Sequence, residues 1–485
     1  MKTFQNITRR IGFCAVLACT GLQTPLQAKI TLPAFFTDNM IIQQQTTMTL
    51  FGKAKPNKKV SIETSWNNQH YETKADAQGN WQVAVSTPTA GGPYRITLSD
   101  GKKTVLENVM AGEVWFCSGQ SNMEMPVKGF RGQPVYGSQP YIVSANPKRP
   151  LRLYTVKNNW STTLKEEGID GQWSEASSEE VADFSATAYF FGNLLQQSLD
   201  VPVGLIHCSW SMSKIEAWMD KETLSHFSEV TLPDTNQDKF EWAAGTPTLL
   251  WNAMVNPWEG FPVKGVIWYQ GEANTPDPTL YKKLFPAMVS QWRNFFHNAE
   301  MPFYYVQIAP HKYGNSRNIN SALLQEAQMK ALQTIPNSGM IPTIDVGDEF
   351  CIHPPQKNVV GLRLANLALT KTYGLHKFPS TGPMMTKVEY SKNKAIVTLD
   401  NAPSGLAPGS CELEGFEIAG ADKKFYPAKA RIAGRTRNVE VWSDQVAQPV
   451  AVRYAFRNYV GNITLRNTLG IAAFPFRTDT WDDVK

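Results

Sequence analysis

Residues 114–123 read VWFCSGQSNM, an apolar run followed by small and polar residues. The apolar half is typical of a buried strand, and the polar half leads into a predicted helix start. A side chain at such a strand-to-helix turn projects from the end of a sheet beside backbone N–H groups, so Ser121 stands where a hydrolase places its nucleophile. This motif differs from the Gly-x-Ser-x-Gly elbow of the common α/β-hydrolases, so the catalytic role of Ser121 must be argued from partner residues further along the chain.

His353 is the most promising partner for Ser121, because two prolines at 354–355 follow it and fit the opening positions of a helix. The positive end of that helix disfavours imidazolium, which helps to keep His353 neutral and able to accept a proton. Asp345, Asp348 or Glu349 could oppose that effect and stabilise the protonated ring. A histidine that only caps the helix is the structural alternative.

The region around these residues predicts an α/β fold. Apolar, strand-like runs at 203–206, 265–269 and 303–308 alternate with segments of helical periodicity. This alternation implies a doubly wound, mostly parallel sheet with helices on both faces. Ligands of such sheets bind at the carboxyl ends of the strands.

Polar residues cluster where these strands end, so we expect four loops to meet over one edge of the sheet. The loops carry Ser121, Ser211, the block Gln270–Asn274 and His353. Acyl transfer needs a nucleophile, a base and N–H donors for the developing oxyanion, and these loops supply all three. Glu272 could act as a general base, a metal ligand or a structural acceptor, and we favour the structural, site-shaping role.

Histidine and cysteine spacing gives no sign of a metal site. The histidines other than His353 show no close ligand spacing, and neither a His-Glu-x-x-His motif nor a glycine-rich phosphate loop occurs. We therefore expect no metal and no other cofactor. Outside the first 28 residues, the cysteines are too widely spaced to indicate a disulfide scaffold, and the sequence does not choose a pair among Cys117, Cys208, Cys351 and Cys411.

The flanks of the chain have β character. Short alternating segments punctuated by Gly, Pro and Asn predict an N-terminal β-sandwich domain over 29–109. Strand-like runs return from about residue 379 and predict a C-terminal β-rich domain over 379–485. The catalytic domain then occupies 110–378, and residues 1–28 are predicted to be a signal peptide.

The signal peptide has basic residues before an apolar run at 11–22 and a small-residue cleavage site ending at Ala28. The run is too short to span a bilayer, so we expect export to the periplasm or the extracellular space and no membrane-spanning segment. A lipoprotein cut before Cys19 is the alternative. Removal of the segment lowers the formal net charge from +5 to +2, which argues against nucleic acid as a partner.

Three motifs make the chain recognisable: GQSNM at 119–123, WYQGEAN at 268–274 and IHPP at 352–355. Together with FTDNMIIQ at 36–43, GFEIAG at 415–420 and FPFRTD at 474–479, they resemble the sialate O-acetylesterase family of SGNH hydrolases. The resemblance extends over nearly the whole mature chain.

The resemblance implies an exported serine esterase that removes O-acetyl groups from sugars, most often sialic acid. Ser121 would be the nucleophile and His353 the base, and the backbone N–H groups of Ser121 and Ser211 would hold the oxyanion. Gln270 or Asn274 could add a side-chain donor. The oxyanion and substrate-binding candidates are Gln120, Ser211, Gln270, Glu272 and Asn274.

Two positions depart from the family pattern. Relatives commonly carry glycines where this chain has Ser211 and Met212, and many carry an aspartate where it has Cys351. The enzyme would then work as a Ser–His dyad, or else Asp345 or Asp348 would complete a triad. An acetylxylan or other polysaccharide esterase is an alternative activity, and a non-catalytic glycan-binding protein is the alternative from another class.

Overall fold

A computed structural model describes residues 30–165, 170–314, 319–409, 411–434 and 436–482. The predicted signal peptide, 1–28, and the alternative lipidation site at Cys19 lie outside the described residues.

Short strands form the N-terminal part of the protein. They are β1 (Ile41–Gln43), β2 (Thr47–Lys53), β3 (Lys59–Thr64), β4 (Gln69–Lys74), β5 (Asn80–Ser86) and β6 (Gly91–Ser99). β2 pairs antiparallel with β5, while β3 pairs antiparallel with both β4 and β6. Met48, Leu50, Val60 and Ile62 are buried at alternate positions, which is the period of two that predicted strands here.

The central sheet contains the strand that leads to Ser121. Its strands are β7 (Lys103–Gly119), β8 (Leu151–Thr155), β9 (Trp173–Glu175), β10 (Val203–Ser209), β11 (Gly265–Tyr269), β12 (Phe303–Val306) and β13 (Ser338–Ile341). They lie in the order β13-β12-β11-β7-β10-β8-β9, and every pair except β8–β9 is parallel. Strands are therefore added on both sides of β7, and the strand order reverses at this strand. Ligands of such sheets bind at the carboxyl ends of the strands at this point, which favours a site at the end of β7.

The strand β7 belongs to both of these parts. Its residues up to 112 pair with β6 and β1, whereas residues 113–119 lie between β10 and β11. Every side chain from Val114 to Cys117 is buried, because both faces of this half of the strand are covered. The boundary that we predict between the first two domains, at 109/110, lies inside one continuous strand.

Helices cover both faces of the central sheet. They are α1 (Ser121–Glu124), α2 (Gln139–Val143), α3 (Ser178–Asp183), α4 (Ala186–Leu199), α5 (Lys221–Leu224), α6 (Pro278–Phe295), α7 (Asn320–Ala331) and α8 (Lys357–Lys371). α4 and α8 pack with Trp115 and Cys117, whereas α6 and α7 pack on the opposite face with Phe116 and Trp268. Within the described residues, no helix is both long and apolar enough to cross a membrane.

The helix α8 begins later than the sequence suggests. Pro354 and Pro355 precede α8, although we expected them to occupy its opening positions. One reason is that a residue followed by proline is disfavoured in the helical conformation. A second is that the Pro355 carbonyl accepts a hydrogen bond from the Tyr136 N–H, at 2.9 Å, and not from a residue of α8.

The C-terminal part consists of small sheets. Its strands are β14 (Met384–Ser391), β15 (Lys394–Asp400), β16 (Leu406–Ala407), β17 (Phe416–Ala419), β18 (Phe425–Pro427), β19 (Lys429–Ile432), β20 (Asn438–Trp442), β21 (Ala451–Tyr454), β22 (Arg466–Asn467) and β23 (Phe476–Arg477). They form sheets in the orders β14-β15-β20-β19, β18-β17-β21-β23 and β16-β22. The α/β class is thus confirmed as a large mixed sheet accompanied by several β-rich sheets.

Candidate active site

Ser121 is the first residue of α1 and follows directly from the end of β7. Gly119 has a φ of 147°, and a Cβ at this position would lie 2.1 Å from the carbonyl oxygen of Tyr269. Only glycine therefore allows β7 to end so close to β11. Gln120 is extended, and Ser121 is 6% exposed at the start of the helix.

Three of the predicted substrate-binding amides hold the loops together. The Oε1 of buried Gln120 accepts hydrogen bonds from the N–H groups of Gly271 and Ala273, at 3.1 and 3.3 Å. The Nε2 of Gln270 donates to the Ser213 carbonyl at 2.9 Å and to Asn274 Oδ1 at 2.7 Å.

Asn274 extends this support to the next loop. Its Nδ2 donates to Glu216 Oε2 at 2.9 Å, and its Oδ1 accepts from the Ile215 N–H at 3.0 Å. The side-chain donors of Gln270 and Asn274 thus bind other parts of the protein, and their role in the structure is to fix the loops after β7, β10 and β11.

A buried polar cluster lies immediately behind Ser121. The Nδ2 of Asn122 donates to Glu272 Oε1 at 2.6 Å and to the Ile352 carbonyl at 3.1 Å, and its Oδ1 accepts from Lys357 Nζ at 2.5 Å. All three side chains are at most 5% exposed. Burial raises the pKa of Glu272, against the opposing effects of Asn122 and Lys357. Glu272 is thus bound to Asn122 within the buried cluster, and the site-shaping role that we favour for it stays a prediction.

The buried ammonium group makes stability depend on pH. Burial lowers the pKa of Lys357 from 10.5 to about 7, although Glu272 opposes the change. Between these values the unfolded chain keeps a proton that the folded chain has released, so the free energy of unfolding rises with pH by at most about 1.4 kcal/mol per unit.

We expect the Lys357→Met variant to lack this rise. The wild-type free energy of unfolding should then increase relative to that of the variant as pH rises from 7 towards 10. Urea unfolding of the two proteins across this range measures the difference. Parallel pH profiles would contradict a buried lysine that titrates in the folded state.

The segments that carry Ser121 and His353 are joined through a neighbour of each residue. The Asn122–Ile352 hydrogen bond joins the residue after Ser121 to the residue before His353. The imidazole is half-buried and edge-on to Phe130, and its Nδ1 is 2.6 Å from Gln133 Oε1. Burial, with smaller effects from Lys357 and His311, lowers the pKa of His353 to about 4. A neutral imidazole is the state that can accept a proton.

The candidate triad acids bind other groups. Asp345 forms a two-point ion pair with Arg363, with oxygen–nitrogen distances of 2.8 and 2.7 Å. Asp348 Oδ1 accepts from the N–H groups of Phe350 and Cys351, both at 2.8 Å. The side chain on the far nitrogen of His353 is instead Gln133, which the sequence did not single out because nothing distinguishes this glutamine from others in a loop.

The backbone N–H of Ser211 already has an acceptor. Both this N–H and the Ser211 hydroxyl donate to Glu124 Oε2. Met212 has a φ of 61°, a left-handed conformation that glycine adopts more readily. The loop thus keeps a glycine-like backbone despite its side chains. Glu124 was also missed from the sequence, although it follows Ser121 by three residues on one helical turn.

The cysteines and the side chains that could bind a metal ion are further candidates for site chemistry. Cys117, Cys208, Cys351 and Cys411 are all free, and the first two are buried. Among the described residues, no group of three or more His, Cys, Asp or Glu side chains converges in a way that could hold a metal ion.

Comparison with known proteins identifies the family. Residues 111–370, more than half of the chain, match the model of a family described as carbohydrate esterase, sialic acid-specific acetylesterase. The chain belongs to this family. The resemblance stated from the sequence is therefore confirmed, and the protein is a carboxylic ester hydrolase of the class that removes O-acetyl groups from sugars. The alternative of a non-catalytic glycan-binding protein gives way to this finding.

Individual relatives cover most of the esterase. A crystal structure of a carbohydrate acetylesterase from Xanthomonas citri is 35% identical, has a TM-score of 0.85 and matches 93% of this chain and 100% of that chain. The sialate O-acetylesterases of Pongo abelii and Homo sapiens are each 26% identical in an alignment of 402 residues, and the matches cover 76% of this chain and 75% of each relative.

Proposed function

We propose that the esterase removes O-acetyl groups from sialic acids through an acetyl-enzyme formed on Ser121. The observation that carries the proposal is the hydrogen bond between Asn122 and Ile352, because it fixes the loop of Ser121 beside the loop of His353. The named sialate O-acetylesterase relatives support the substrate class. As part of the proposal, the chain is exported after cleavage behind Ala28.

The chemistry begins with proton transfer from Ser121. When Gln133 Oε1 accepts the proton on Nδ1 of His353, the ring's Nε2 carries a lone pair and can act as the base. Ser121 Oγ attacks the acetyl carbonyl while His353 takes its proton. His353 then protonates the departing sugar oxygen, and water activated by the same ring releases acetate from Ser121.

The oxyanion that forms during attack needs preorganised N–H donors. The backbone N–H groups of Ser121 and Ser211 are our candidates. The Ser211 N–H donates to the Glu124 carboxylate in the free protein. Glu124 must therefore leave this N–H when the acetyl oxygen arrives, which substitutes one acceptor for another without leaving the donor unpaired.

A neutral polysaccharide such as acetylated xylan is the second candidate substrate. Glu124 favours it, because a carboxylate on the same helical turn as Ser121 would repel the carboxylate of a sialic acid bound nearby. The Xanthomonas relative, whose name specifies only a carbohydrate acetylesterase, is compatible with either substrate.

A substrate panel measured by acetate release tests the proposal. With O-acetylated sialic acid and acetylated xylan offered at equal acetyl concentration, we expect the larger kcat/KM for the sialic acid. A preference for xylan would replace the first substrate by the second while leaving the mechanism intact. A serine-directed phosphonate should also label Ser121, and labelling elsewhere in an active enzyme would contradict the acetyl-enzyme.

A further inference from the structure

We propose that Gln133 is a positioning residue that takes the place of the triad acid, so that a neutral amide orients His353. This inference rests on the proposed roles of Ser121 and His353. It assigns to Gln133 the task for which Asp345 or Asp348 was the candidate if a triad exists.

A single turn holds His353 on two sides. The N–H of Gln133 donates to the Phe130 carbonyl at 2.9 Å, so the two side chains project from a closed turn. The Phe130 ring meets the imidazole edge-on with centroids 5.3 Å apart, and Gln133 Oε1 lies 2.6 Å from Nδ1. The ring therefore has one apolar contact and one polar contact that together define its orientation.

The same turn is fastened to the segment that carries the histidine. The Tyr136 N–H donates to the Pro355 carbonyl at 2.9 Å, three residues after Gln133 and two after His353. The turn and the histidine segment thus run side by side.

An amide oxygen fixes the tautomer but stabilises imidazolium less than a carboxylate does. It accepts the Nδ1 proton and leaves Nε2 unprotonated, as the nitrogen that can accept a proton. A carboxylate at the same place would add a negative charge and strengthen the protonated ring. The neutral amide therefore favours a base that stays unprotonated in mildly acidic solution.

The charged groups around His353 also favour the unprotonated ring. Lys357 and His311 both disfavour the protonated ring. The carboxylates on neighbouring segments are engaged elsewhere: Asp348 Oδ1 binds backbone N–H groups, and Glu349 pairs with Lys312 at 3.0 Å. Glu272 binds Asn122 at 2.6 Å, Arg131 is exposed, and the Cys351 thiol bonds the His353 carbonyl at 3.4 Å.

Two substitutions of Gln133 in the full chain test the proposal. Gln133→Leu keeps the size of the side chain but removes the acceptor, and we expect kcat to fall about 10²-fold with KM nearly unchanged, which is less than the loss when a charged triad acid is removed. Gln133→Glu keeps an acceptor and adds charge, so it should retain activity while the acid limb of the pH profile of kcat/KM moves to higher pH by at least about one unit.

Gln197→Leu is the matched control, because Gln197 is exposed on α4 and bonds only Asn193 among the described contacts. It should leave both kcat and the pH profile unchanged. If Gln133→Leu unfolds at a lower temperature than this control, the pH profile of the Gln133→Glu variant alone decides the question.

Two results would overturn the proposal: wild-type kcat in a folded Gln133→Leu variant, or an unmoved acid limb in Gln133→Glu. The Ser121→Ala variant separates these failures from a failure of the proposed function. If it is inactive while the Gln133 variants behave as wild type, only the role of Gln133 is wrong. If it remains active, the acetyl-enzyme itself is wrong.

Discussion

Ser121→Ala is expected to lower kcat for acetyl ester hydrolysis by on the order of 10⁴- to 10⁶-fold, because no acetyl-enzyme can then form. The substitution removes one oxygen atom and leaves the backbone hydrogen bonds of α1 in place, including the one from the Met125 N–H to the Ser121 carbonyl. The free energy of unfolding should therefore change by less than about 1 kcal/mol. Acetate release and urea unfolding measure the two effects.

The control for this variant is Ser228→Ala, since Ser228 is exposed and its hydroxyl contacts only Glu229 among the described residues. It should retain full activity. Near-normal turnover in folded Ser121→Ala would exclude this residue as the nucleophile. Loss of phosphonate labelling in the same variant would show that the inactivity comes from the reacting oxygen.

The second large effect is expected from His353→Ala, with a loss of kcat on the order of 10³- to 10⁶-fold because Ser121 then has no base. Asp345→Asn and Asp348→Asn should each lose far less activity, since neither carboxylate bonds the imidazole. Asp345→Asn should instead lower the free energy of unfolding by about 2–3 kcal/mol, because the Arg363 guanidinium that it pairs with is only 10% exposed.

Steady-state kinetics and urea unfolding of the three variants separate catalysis from stability. An aspartate variant that loses as much activity as His353→Ala, while staying folded, would restore a conventional triad. Rescue of His353→Ala by added imidazole would confirm that the missing group is a base and not a structural support.

Local sequence patterns were sufficient to predict the strand before Ser121 and the class of the fold. Both depend on apolar periodicity that lies within a short stretch of chain, as at 114–117. The predicted start of α8 was wrong by three residues, because the Pro355 carbonyl is used by a distant loop. Element boundaries are set by such tertiary contacts, which a single sequence does not display.

The side chains that surround the segments of Ser121 and His353 were not predicted from the sequence. Gln133, Glu124 and Lys357 contact the site through hydrogen bonds to residues brought close by the fold. The Lys357–Asn122 bond joins positions 235 residues apart. No local pattern marks a glutamine that bonds a histidine or a lysine that is buried, so these roles emerge only when the sheet brings the loops together.

The continuity of β7 has a mechanical consequence. A strand of 17 residues, roughly 50 Å of nearly inextensible backbone, begins among the N-terminal strands and ends two residues before Ser121. The N-terminal part is therefore not a detachable module on a hinge. Deleting it would cut β7 in two and remove its neighbours β1 and β6. The rest of β7 would then lose part of its support, and the position of Ser121 at its end would be less well fixed.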